Sequence, residues 1–220
     1  MLCIYTSQVF TSQIFSMTDD AKVMLSEFEL MLVSNSEWIL TKQRVVQKVG
    51  VLLAQQVAVI NRDFIPHLIP AVPELASGLP KISKGERYRE LPYVILDHPA
   101  VFSRAAVFAL RTMFWWGNFI SVTLHLSGHY KKLLEAVIEK NIVHGIDQSF
   151  YISTGNTEWE HHFGEDNYSA VASMNREVLN KKIVQPSFIK IALKYDLSKW
   201  DEMNELLPTA YNSFAGLLKP

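Results

Sequence analysis

The chain predicts an α+β fold built on a largely antiparallel sheet, and three observations carry that reading. Helical periodicity fills the first part, short apolar runs separated by turn residues fill the middle, and helical periodicity returns at the end. The middle runs lie too close together for the crossovers that a parallel sheet needs. At 220 residues the chain can bury a sizeable core without disulfides or metal staples. Residues 17–220 are therefore read as one domain, with 1–16 as an extension.

The opening segment MLCIYTSQVFTSQIFS has no basic n-region and no sustained apolar stretch, so it does not read as a signal peptide. Met17 followed by Thr-Asp-Asp marks a second beginning. Thr18 or Asp19 is placed to cap a helix whose apolar positions start at Val23 and Met24. Residues 1–16 are accordingly expected to be loosely attached.

Two helices are expected between Asp19 and Asn61. Met24, Phe28, Met31 and Leu32 recur on one face, and Val45, Val49, Leu52, Leu53, Val57 and Ile60 on the next. Ser34 and Glu37 stand three apart at the junction, the spacing of a capping box, so a helical hairpin is predicted. Prolines between 66 and 80 then interrupt regular structure, and KISKGERYRE reads as a charged loop.

LPYVILDHP reads as a short buried strand closed by Pro99. AVFALRTMFWW and FISVTLHL follow as the two strands of a central hairpin, about 106–126, with Gly117-Asn118 as a two-residue turn. Ser127 is placed to cap a helix ending near His144-Gly145, SFYIST is a further strand, and NTEWEHHFGEDNY is a polar loop before a helix over about 167–182. SFIKIALKY alternates, with Ile189, Ile191, Leu193 and Tyr195 one way and Lys190 and Lys194 the other, the pattern of a half-solvated strand. Ser198 with Asp201 opens the last helix, in which Pro208 is a kink site.

A two-residue turn would fix the hairpin register. Trp115 then opposes Ile120, Met113 opposes Val122, and Arg111 opposes Leu124 on a core face holding one arginine. The other face pairs Trp116 with Phe119, Phe114 with Ser121, Thr112 with Thr123, and Leu110 with His125. Its mixture of aromatic rings, hydroxyls and an imidazole suits the wall of a small-molecule pocket. It equally suits a second buried face under helices. Arg111 needs a partner on either reading: Asp97 is the structural one, and a ligand carboxylate or phosphate the functional one. The candidate ligand-binding residues are Arg111, Trp116, Phe119, Ser121, Thr123 and His125.

Lysine and arginine number 21 against 22 acidic residues, and no basic stripe exists for a phosphate backbone to follow, which argues against nucleic acid. The longest apolar windows are broken by Gln and Lys well short of the ~20 apolar residues of a membrane span. Cys3 is the single cysteine, which excludes an internal disulfide and fits a reducing compartment. There is no Gly-rich phosphate loop, G-x-S-x-G, H-E-x-x-H or C-x-x-C motif, so no nucleophile or cofactor is named. A metal site of His125, His161 or His162, and Glu165 would require the 156–168 loop to fold over the hairpin.

GERYRELPYVILDHP, RTMFWWGNFISVTLHLSG and WEHHFGEDNY are similar to segments of an uncharacterised bacterial protein family. That resemblance implies a bacterial cytoplasmic setting and transfers no catalytic residue. Three functional readings follow: a ligand or partner segment bound on the hairpin face, a metal-assisted hydrolase using the His/Glu set, and a structural protein dimerising through the aromatic patch. The expected partner is a small molecule or a second copy of the chain.

Overall fold

The computed structural model describes residues 23–143 and 149–219. The predicted extension, the cap at Thr18 or Asp19, Cys3 and the helix end at His144-Gly145 lie outside them. The chain divides into two compact units, Met1–Val45 and Val46–Pro220.

In the first unit, α1 (Glu27–Ser34) begins at a capping box. The Ser26 hydroxyl accepts the Glu29 amide at 3.2 Å and Glu29 accepts the Ser26 amide at 2.8 Å. The start therefore falls later than predicted, with Val23 and Met24 ahead of the helix. A single residue separates α1 from α2 (Ser36–Asp63). That residue, Asn35, supplies the junction cap through its side-chain oxygen, which accepts the Glu37 amide at 3.1 Å. Ser34, predicted for this role, ends α1 instead.

The second unit is organised by one seven-stranded antiparallel sheet of order β1-β2-β3-β4-β7-β5-β6. Its strands are β1 (Lys81–Tyr88), β2 (Leu91–Phe102), β3 (Val107–Trp115), β4 (Phe119–Ser127), β5 (Tyr151–Ser153), β6 (Tyr168–Ala170) and β7 (Phe188–Asp196). Helices α3 (Gly128–Val143), α4 (Arg176–Val184) and α5 (Met203–Leu217) complete it, together with the α2 residues from Val46 onward. Helices, hairpin strands and a closing helix thus form the α+β arrangement expected of the sequence.

One face of the sheet lies under helices and is almost wholly apolar. Phe108 meets Tyr130 of α3 edge-on at 5.8 Å, and the Thr112 hydroxyl lies 2.9 Å from that of Tyr211 on α5. His98 Nε2 sits 2.7 Å from Asn61 of α2. Leu110, Val122, Leu124 and Ile191 are fully buried on the same side, where alternation places them.

Several elements differ from expectation for identifiable reasons. KISKGERY is an edge strand, β1, paired in register with β2 from Lys81↔Asp97 onward. Its lysines and glycine masked the alternation, and lysine on an edge strand discourages further pairing. A Cβ at Gly85 would lie 2.3 Å from the outer end of the Tyr93 ring, which would have to swing aside. The β1–β2 turn puts Arg89 at φ 48 and Glu90 at φ 63, the left-handed region that a tight reversal demands. Strand β2 does not stop at Pro99. It passes through an irregularity between Asp97 and Ala100 and continues to Phe102, Pro99 sitting where no ladder amide is needed.

The central reversal shifts the hairpin register by one residue. Trp115 pairs with Phe119, Met113 with Ser121, Arg111 with Thr123 and Ala109 with His125. The loop is Trp116-Gly117-Asn118, three residues rather than two, closed by the Asn118 amide donating to the Trp115 carbonyl at 3.1 Å, with Gly117 at φ 69. Because side chains alternate with period two, this shift moves every β4 side chain to the opposite face relative to β3.

Farther along, the span predicted as a helix over 167–182 divides into β6, a short 3-10 turn and α4, the last capped by Asn175 accepting the Val178 amide at 2.9 Å. Asp196, not Ser198, caps the turn before α5, accepting the Ser198 amide at 2.8 Å, and Pro208 lies inside α5. Ser127 is the last residue of β4. Gly128 follows at φ 61, where a Cβ would come within 2.1 Å of the Ala105 carbonyl oxygen.

Candidate functional site

The second face of the sheet lies under residues 154–167, a strap between β5 and β6. Its base is closed by the Thr154 amide donating to the Asn167 carbonyl at 2.8 Å. At the other end Tyr88, the last residue of β1, pins the strap. Its hydroxyl accepts the amides of His161 at 2.7 Å and His162 at 3.0 Å and donates to Glu160 at 2.9 Å. Burial, foremost, holds the Tyr88 hydroxyl in its protonated form.

Beneath the strap the sheet presents titratable groups that the hairpin register brings together. Arg111 and Asp97 are cross-strand partners joined by two parallel hydrogen bonds, Nε to Oδ1 at 2.7 Å and Nη2 to Oδ2 at 3.0 Å. Their side chains are 13% and 7% exposed, so each depends on the other to offset desolvation. The remaining fork nitrogen, Nη1, reaches His161 Nε2 at 3.0 Å. A guanidinium can only donate, so His161 accepts through Nε2 and carries its proton on Nδ1. Burial, with Lys190 and Arg111 adding their charge, pushes the His161 imidazole down to about 2. It is neutral at any physiological pH.

His125 and Lys190 are opposed on β4 and β7. His125 Nε2 lies 2.7 Å from Glu158 of the strap, yet burial outweighs the carboxylate and drives the imidazole below its ordinary range. The contact is thus a hydrogen bond from a neutral ring. Lys190 was expected to reach solvent but is 1% exposed. Its ammonium donates to the Glu160 carbonyl and stands 5.5 Å from the centre of the Tyr168 ring. Burial first, then the charge of Arg111, lowers it to about 7. Alternation along β7 was read correctly, but a polar strap, not water, covers that side.

Among the described residues two cavities open on this face. The first, about 370 Å³, has Ile95, Asp97, Arg111 and Met113 on its floor, with Lys81, Tyr88, Tyr93, Phe102, Trp159 and His161 among its other walls. The second, about 490 Å³, adjoins the β3–β4 turn. Consecutive strap residues serve different cavities, His161 the first and His162 the second.

The sequence-derived site residues are divided by this geometry. Arg111, Phe119, Ser121, Thr123 and His125 share one face, which corrects the assignment of Arg111 to the opposite side. Arg111 lines the first cavity and Phe119 the second, whereas Ser121, Thr123 and His125 are buried and line neither. Trp116 leaves the set: it sits in the turn and packs edge-on against Phe114, 6.2 Å between centres, a residue of the helix-covered side. Asp97 is the Arg111 partner that the sequence indicated. Lys81 and Tyr88 escaped notice because β1 was read as a loop, and Tyr93, on the predicted strand β2, because the strand beside it was not seen.

Among the described residues no group of three or more His, Cys, Asp or Glu side chains is arranged to hold a metal ion. His161 is turned to Arg111, His125 to Glu158, and Glu165 is exposed. No described helix is long and apolar enough to cross a membrane. No family model matches the chain, and neither does any curated protein or solved structure.

Proposed function

We propose that the protein binds a small planar organic anion, of the aromatic carboxylate class, in the cavity above Arg111. The observation that carries this reading is the row Lys81–Asp97–Arg111, three residues in register across β1, β2 and β3 at the floor and rim of a cavity walled by aromatic rings. Two cations flank one carboxylate, so the row has one positive charge in excess. Lys81 has no ion-pair partner among the described residues, and three hydrogen bonds leave two of the five Arg111 N–H groups uncommitted there.

Tyr88, Tyr93, Phe102 and Trp159 supply flat apolar contact. The volume of about 370 Å³ falls within the usual range for small-molecule sites. Asp97 and His161 hold the guanidinium plane fixed before a ligand arrives, which reduces the ordering cost of binding. Trp159, 53% exposed, stands at the rim where a bound ring would cover it.

Calorimetric titration with benzoate, 3-phenylpropionate and uncharged benzamide tests this reading. The two carboxylates are expected to bind and the amide to fail. Lys81→Met and Arg111→Lys are each expected to weaken the carboxylates about tenfold, the second because lysine cannot reproduce the planar fork. Equal binding of benzoate and benzamide, or isotherms unchanged in both variants, overturns the reading.

A further inference from the structure

We infer that the second cavity is a site for a zwitterionic α-amino acid with an apolar or aromatic side chain. It goes beyond the Arg111 cavity: the volume is separate, about 490 Å³, and shares none of its lining residues. Its apolar part is Trp115, Phe119 and Phe163, packed edge-to-face at 5.3 Å and 4.9 Å between ring centres. Such a surface takes a hydrophobic side chain and holds it by shape.

The polar part presents both signs of charge. Lys194 and Asp196 alternate on β7, so they point to the same face about 7 Å apart along the strand. Lys194 stands over the Phe163 ring at 5.3 Å and forms no ion pair among the described residues. Arg89, brought in by the left-handed β1–β2 turn, rests one guanidinium nitrogen 3.0 Å from His162 Nε2. His162 Nε2 is also 3.0 Å from Asp166, and one ring nitrogen can satisfy only one of these neighbours at a time. On the acceptor side, Asp196 takes the Ser198 amide at 2.8 Å, and the Ser198 hydroxyl and amide hold its carboxyl below the usual range, so it presents a negative charge with lone pairs to spare. Asn118 commits its amide nitrogen to the Trp116 carbonyl and keeps its oxygen as a second acceptor.

These charges discriminate among ligand classes. A simple anion would meet Lys194 favourably but Asp196 unfavourably, Arg89 being already shared with Glu160 at 3.8 Å and Asp166 at 4.0 Å. A simple amine would meet the reverse. A ligand that carries a carboxylate and an ammonium on the same carbon satisfies both ends while its side chain covers the rings.

The test is calorimetric titration of the full chain with L-leucine, L-phenylalanine and L-tryptophan, beside the half-ligands 3-phenylpropionate and 2-phenylethylamine. At least one amino acid is expected to bind, with its half-ligands at least tenfold weaker at the same site. Lys194→Met and Asp196→Asn are each expected to weaken the amino acid at least tenfold without lowering the melting temperature, since both positions are exposed and asparagine can still accept the Ser198 amide. Lys81→Met is expected to leave that isotherm unchanged, which separates this site from the Arg111 cavity. Silence of all three amino acids overturns the inference. So does a half-ligand as tight as the parent in Lys81→Met protein, or loss of amino-acid binding in Lys81→Met while Lys194→Met binds normally.

Discussion

The helix-covered and strap-covered faces of the sheet are made by the same strands, yet they reach burial by opposite means. On the helix side, Phe108, Leu110, Val122 and Leu124 are excluded from water by other apolar side chains, and the Thr112–Tyr211 hydroxyl pair is a local polar exception. On the strap side Asp97, Arg111, His125 and Lys190 lie under fourteen residues of loop that bring His161, Glu158 and the Glu160 carbonyl down to them, each tied to a partner. The first arrangement draws its stability from dispersion and the hydrophobic effect. The second meets a desolvation cost that its hydrogen bonds and ion pair offset at best. A polar layer of that kind contributes little to stability for its size, and it is the layer in which both cavities open.

The contrast can be broken first on the helix side. Phe108→Ala, at a fully buried position, is expected to cost about 4 kcal/mol in urea denaturation, through lost transfer energy and the void left against Tyr130. On the strap side Arg111→Met is expected to cost about 3 kcal/mol, because Asp97 stays buried without its counter-charge. The double variant Asp97→Leu/Arg111→Met sharpens the comparison: it should recover to within about 1 kcal/mol of the wild type, as replaced buried ion pairs often do. If the double variant is as unstable as the single, the strap face is holding the fold in a way that this account denies.

The strap face contributes a pH dependence of stability through Lys190 and His161. Lys190 is lowered to about 7 in the folded chain from an ordinary 10.5. Between those values the unfolded chain carries a proton that the folded one lacks, so stability rises as pH increases through that window. His161, lowered to about 2 from 6.5, acts in the same sense at lower pH: stability falls as pH drops below 6.5. Melting temperatures between pH 7 and pH 9 are expected to rise in the wild type and to rise less in Lys190→Met. A slope unchanged by that substitution would assign the titration elsewhere.

Smaller effects complete the series. Thr112→Val, which leaves the Tyr211 hydroxyl without its partner, is expected to cost about 1 kcal/mol by chemical denaturation. Glu90→Gly is expected to raise stability by about 0.5 kcal/mol, since glycine holds φ 63 without the steric cost of a side chain. The gain is read as an upward shift of the urea midpoint, and an unchanged or lowered midpoint would deny steric strain at this turn.

How far the site could be read from the sequence depended on the kind of signal. The β3, β4 and β7 segments were legible because their apolar residues recur with the strand period, and Asp97 was legible as the Arg111 partner because an arginine among apolar residues needs an anion. The register of β3 against β4 was not legible. Gly117-Asn118 suits a two-residue turn, and only the paired strands with their cross-sheet neighbours select the three-residue loop. Strand β1 was hidden because an edge strand needs few apolar residues, so Lys81 and Tyr88 were not placed at a site.

By itself the sequence determined the alternation along the central strands, the succession of helices around a middle run of strands, the antiparallel connections and the need of Arg111 for a carboxylate. These follow from local periodicity and from the cost of burying an unpaired charge, both of which act within a few residues or on a single group. Tertiary structure alone decided that Lys190 is dry, that His161 is a neutral acceptor for Arg111, and that the face holding Ser121, Thr123 and His125 is roofed by a strap whose neighbouring residues His161 and His162 line different cavities. Those outcomes depend on what a distant segment covers, and a two-residue period records which way a side chain points without recording what it meets.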